Sequence, residues 1–102
     1  MSNENMFYEL CNIMAKLEDS ITSFEKIGFV VEPGTEGTVS ENLYTAASTA
    51  YRIASSLLNY SSVEVENDIC NELLSAGTDK MEEVATRIWN EYGSEYGIKS
   101  DV

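Results

Sequence analysis

Phe7, Leu10, Met14, Leu17, Ile21 and Phe24 follow one another at alternating steps of three and four residues. A strand cannot gather such positions, because it turns to the opposite face at every residue. An α-helix turns about 100° per residue and aligns them in one stripe. The spacing predicts a helix over 4–27. Asn3 is placed to cap it, with Glu4 beside the positive helix end. Gly28 suits the left-handed position that follows a helix, where Phe29 would fold back on Phe24. An amphipathic helix of this length has to bury its stripe against other elements.

The rest of the chain supplies them. The segment GFVVEPGTEGT, 28–38, is the one long connection. Its Phe29, Val30 and Val31 are expected to cover an end of the core, and Pro33-Gly34 and Gly37 to turn the chain. A second helix is expected over 40–60, capped by Ser40 or by a Thr38–Glu41 capping box. Its apolar residues, from Leu43 to Tyr60, fill an arc of roughly 200°. A Ser61–Glu64 capping box opens a third helix over 62–76, with Val65, Ile69 and Leu73 on one face. Thr78 or Asp79 would cap a fourth over 79–93, whose face is Met81, Val84, Ala85, Ile88, Trp89 and Tyr92. Gly93 breaks it, and 94–102 reads as a frayed tail.

The expected fold is all-α: a compact four-helix bundle, antiparallel or in an orthogonal variant, with 1–102 as a single helical domain. Its core is expected at Leu17, Ile21, Ala50, Ala54, Leu57, Ile69, Leu73, Val84 and Ile88.

Composition narrows function mainly by exclusion. With no His, Ser-His-Asp and Cys-His sites and the usual zinc clusters are excluded. Cys11 and Cys70 stand apart and read as reduced thiols near a core. No phosphate-binding glycine loop is present. These absences point away from an enzyme, and no cofactor or metal is expected. A formal net charge of −12, from 18 Asp/Glu against 6 Lys/Arg, opposes direct contact with nucleic acid or an anionic membrane. It favours a protein partner with a basic surface. The first ten residues lack the basic and apolar regions of a signal peptide, so a cytoplasmic location is expected.

Two surfaces are candidates for binding. Residues 61–102 carry ten acids against Lys80, Arg87 and Lys99. Glu64, Glu66, Asp68, Glu72, Glu82 and Glu83 could form an acidic face that occupies a basic, nucleic-acid-binding groove. The other surface is the small, almost uncharged face of the second helix. There Thr45, Ser48, Thr49, Arg52, Ser55 and Ser56 invite close approach of another copy, giving a homo-oligomer. Tyr8, Trp89, Tyr92 and Tyr96 could serve as aromatic anchors, although Trp89 suits a core edge better.

In size, charge and helicity the chain resembles two classes of protein: phage-encoded inhibitors of bacterial defence, including anti-CRISPR proteins, and the acidic immunity proteins of nuclease bacteriocins. The Tyr-Tyr-Pro segment of the immunity proteins has no counterpart here, where Pro33 follows Val31-Glu32. The resemblance implies inhibition by covering a partner's surface and assigns no role to any single residue. The alternatives are a small-ligand-binding oligomer with a pocket beside the second helix and a structural or adaptor subunit.

Overall fold

The computed structural model of the protein describes residues 2–28 and 39–93. They form four helices, α1 (Asn3–Lys26), α2 (Val39–Ser55), α3 (Val63–Ser75) and α4 (Gly77–Tyr92), arranged as a four-helix bundle. No β-strand occurs among the described residues, where the only β-type pairing is the isolated antiparallel bridge between Leu58 and Gly93. The expectations for Phe29 and the rest of the long connection, for the caps at 38–41 and for the tail lie outside the described residues.

Two contacts fix the sense of α1 against α4. Near its start, Phe7 stacks on Trp89 at a ring separation of 5.4 Å. Further along, the Asp19 carboxylate accepts hydrogen bonds from the Thr78 hydroxyl and, at 3.4 Å, the Thr78 N–H. The end of one helix therefore meets the start of the other, and the two run antiparallel. Asp19 also takes over a role expected of Thr78 or Asp79, since no side chain within α4 caps it. A carboxylate from a different helix satisfies the exposed N–H group and faces the positive end of the helix dipole.

Several ends differ from the sequence expectation, each for a local reason. Ser2, rather than Asn3, caps α1 by accepting from the Asn5 N–H at 3.1 Å. Gly28 does take a positive φ, +99°. Ser62, rather than Ser61, caps α3, its hydroxyl accepting from the Val65 N–H at 3.2 Å. Helix α2 stops at Ser55, well short of Tyr60. There the Ser55 and Ser56 hydroxyls bond back to the carbonyls of Arg52 and Ile53, and the backbone tightens into three-residue bonds through Leu58. Serine hydroxyls that compete for helix carbonyls favour such an exit. Asn59 N–H then donates to the Tyr92 carbonyl at 2.8 Å, tying the new segment to the end of α4. At the α3–α4 corner Gly77 has φ +71°; a Cβ there would be strained and 3.1 Å from an Asp19 carboxylate oxygen.

The core gathers Phe7, Cys11, Met14 and Ala15 of α1, Ala50, Ala54, Leu57 and Leu58, and Ile69, Leu73, Met81, Ala85, Ile88 and Trp89. Seven of the nine expected core residues are buried; Leu17 and Val84 are half-buried. On α1 the buried stripe is Phe7, Cys11, Met14 and Ile21, not the Leu10–Leu17–Phe24 line beside it. Packing against α4 draws the small Cys11 and Ala15 inward and leaves Leu10, Leu17 and Phe24 on the flank.

Candidate functional site

Of the carboxylates named for the acidic face, Glu66 lies apart from the others of α3. At about 100° per residue, Glu66 lies roughly 120° around α3 from Glu72. Its carboxylate accepts from the Tyr60 hydroxyl at 3.1 Å, and its carbonyl from the Tyr51 hydroxyl at 3.4 Å. Glu66 thus belongs to a half-buried cluster against the second helix. Burial holds the Tyr51 phenol well above its ordinary pKa, and the Cys70 thiol and Glu66 add to that. Glu72 is engaged too, in an ion pair with Arg87, which also lies 3.7 Å from Glu91.

What the fold does assemble is an acidic surface along the outside of α4. Asp79, Glu82, Glu83, Thr86, Asn90 and Glu91 line an open face with Arg87. Glu72 reaches it from α3 through its ion pair with Arg87, and Asp68 lies one turn before Glu72 on the same side of α3. Glu64, Asp68, Glu82 and Glu83 are all exposed. Lys80 and the twice-paired Arg87 are the basic residues of this face among the described residues, so it keeps a clear negative excess.

On the second helix, Thr45, Ser48, Thr49 and Arg52 are exposed, Ser55 is half-buried, and Ser56 lies in the turn beyond the helix. Ile53 shares this side and is 45% exposed. From Asn42 to Val63 the chain contains no acid. Of the aromatic candidates, Trp89 is buried and Tyr8 and Tyr92 half-buried; Tyr96 lies outside the described residues. Cys11 and Cys70 are both free thiols, and burial pushes Cys11 up to about 12, which leaves it protonated and inert.

A third feature escapes the stripe chosen from sequence. Glu18 and Glu25 are in phase with the buried residues of α1, continuing the run Phe7, Cys11, Met14 and Ile21. They border a cleft of about 330 Å³ with Ile21, Tyr44, Ala47, Ser48 and Leu74, where α1, α2 and α3 meet. The signal was present as two carboxylates in the phase of an apolar stripe. It was hidden because the stripe read from the sequence also took in Leu10, Leu17 and Phe24, which moved its centre away from Glu18 and Glu25.

Among the described residues no group of His, Cys, Asp and Glu could hold a metal ion, and no helix is long and apolar enough to cross a membrane. Comparison with protein-family models, with curated proteins and with solved structures finds no match for the chain.

Proposed function

We propose that the protein is a non-enzymatic interaction domain whose α3–α4 face covers a basic, nucleic-acid-binding surface of a partner protein and so inhibits it. The observation that carries this reading is the alignment of Asp79, Glu82, Glu83 and Glu91 on the open side of α4, flanked by Asp68 and Glu72 of α3. Carboxylates held on rigid helices can stand where phosphates would, and their summed field steers a basic partner into contact.

The test is to reverse Glu64, Asp68, Glu82 and Glu83 together to Lys. All four are exposed, so the far-UV circular dichroism should be unchanged. Affinity for a partner isolated from the native host should fall by about a hundredfold or more, about 1.4 kcal/mol for each factor of ten. The wild-type complex should weaken steeply with salt and be displaced by the partner's own nucleic acid. Unchanged affinity in the fourfold variant would rule the reading out.

The acid-free side of α2 favours self-association as well. Copies of a chain with net charge −12 repel each other over most of their surface. The face bearing Thr45, Thr49 and Ile53 is where that repulsion is smallest. A homodimer is therefore expected in sedimentation at tens of micromolar, and Thr45→Glu with Thr49→Glu should convert it to monomer. A wild-type monomer at that concentration would refute the dimer and leave the acidic-face reading standing.

A further inference from the structure

The side of α1 and α2 that faces away from α3 and α4 combines exposed apolar residues with a balanced set of charges. Around α1, Tyr8, Asn12 and Asp19 are turned to α4, and Glu18, Ile21 and Glu25 to the cleft with α2 and α3. At about 100° per residue, Glu9, Ile13 and Lys16 fall within about 60° of one another on the remaining side. Around α2, Ala47 and Tyr51 are turned to α3, and Thr49, Arg52 and Ile53 lie opposite them. The two helices run antiparallel: Glu25 shares the cleft with Tyr44, while the exit of α2 meets Gly93 beside Trp89 and Phe7. Ile13 and Ile53 therefore belong to one two-helix face, where they are 47% and 45% exposed. Around them the exposed charges are Glu9, Lys16 and Arg52, so the negative excess of the chain does not extend to this end of the face. These three make no ion pair among the described residues, where both salt bridges belong to Arg87.

We propose that a second copy of the chain docks on this face about a two-fold axis crossing α1 near Ile13, so that Glu9 of each copy meets Lys16 of the other. This arrangement rests on the self-association proposed above and fixes where its axis lies. Along α1, Glu9 stands about 6 Å before Ile13 and Lys16 about 4.5 Å after it. Half a turn about an axis through Ile13 reverses the helix and exchanges those two positions. One contact then gives two Glu–Lys pairs, which is the self-complementarity that a two-fold interface requires. The Ile13 side chains meet at the centre with Ile53 on either flank, and apolar surface exposed in the single chain is withdrawn from water. Two helices each about 10 Å wide, in contact over about 30 Å, offer roughly 600 Å² per copy. The total of about 1,200 Å² reaches the lower bound of stable interfaces. The α3–α4 acidic face takes no part in this contact, so the partner protein and the second copy do not compete.

The experiment is a charge exchange in the full chain, read by sedimentation equilibrium. Glu9→Lys and Lys16→Glu should each raise the dimer dissociation constant by about tenfold or more, because each sets two like-charged pairs across the axis. Both positions are exposed, so the far-UV circular dichroism should not change. Glu9→Lys with Lys16→Glu in one chain brings opposite charges together again and should restore the wild-type affinity. An equal mixture of the two single variants should form the mixed dimer in preference to either self-dimer. General repulsion cannot produce this pattern, since Glu9→Lys makes the chain less negative and by net charge alone would tighten the dimer. Weakening in the single variants without recovery in the double variant would overturn the proposal. A dimer unchanged by either reversal, yet dissolved by Thr45→Glu with Thr49→Glu, would overturn the α1 axis and leave self-association through α2 standing. A wild-type monomer at tens of micromolar would overturn both.

Discussion

Replacing Phe7 with Ala is expected to cost about 3–5 kcal/mol of folding stability. Phe7 has no exposed surface and lies with its ring 5.4 Å from Trp89 and 6.0 Å from Tyr8. It joins the start of α1 to the end of α4, so truncation removes the aromatic contacts and leaves a cavity that the helices cannot fill without sliding. A domain of this size has about 5–15 kcal/mol in hand, so the variant should be close to unfolding at ambient temperature. Urea denaturation followed by circular dichroism measures the loss. Trp89 is the single tryptophan, and its emission should shift to longer wavelength as its partner is removed. A loss below about 1 kcal/mol would mean that the α1–α4 contact does not anchor the bundle.

Gly93→Ala is expected to destabilise the protein by about 2–3 kcal/mol although it adds only one methyl group. Gly93 has an ordinary extended conformation, φ −61° and ψ 141°, so backbone strain is not the reason. A Cβ at this position would overlap the edge of the Trp89 ring and the Trp89 backbone carbonyl. Trp89 is packed on Phe7 and cannot withdraw without opening the core. The chain after α4 would have to move instead, breaking the Leu58–Gly93 bridge and the hydrogen bond from Asn59 to Tyr92. Thermal unfolding monitored through Trp89 should show the loss together with a changed native emission. A variant as stable as the wild type, with unchanged emission, would show that the α4 exit is not closed on the tryptophan.

The acidic surface and the cleft were legible to different degrees. The excess of carboxylates in the second half is plain from composition, and Glu82 and Glu83 are exposed as expected. The division between Glu66 and Glu72 is not visible locally, because both are ordinary polar positions on α3. Glu66 is drawn aside by Tyr51 and Tyr60, and Glu72 by Arg87, fifteen residues away. Glu18 and Glu25 are in phase with one apolar stripe of α1 and out of phase with the other. Periodicity placed Phe7, Met14 and Ile21 inside, but could not say whether Leu10, Leu17 and Phe24 or Cys11 and Ala15 would join them.

Hydrophobic spacing and helix-ending residues by themselves determined the number of helices, their order and most of their limits. Those signals act between residues three or four apart and need no knowledge of the rest of the chain. Net charge and the absence of His likewise set the chemistry open to the molecule before any folding. Tertiary packing decided the rest: which flank of α1 is buried, which carboxylate caps α4, where α2 ends, and which acids remain unpaired. Each of these depends on groups distant in sequence, such as Asp19 with Thr78 or Asn59 with Tyr92. Their meeting follows from the docking of whole helices, and local propensity does not encode it.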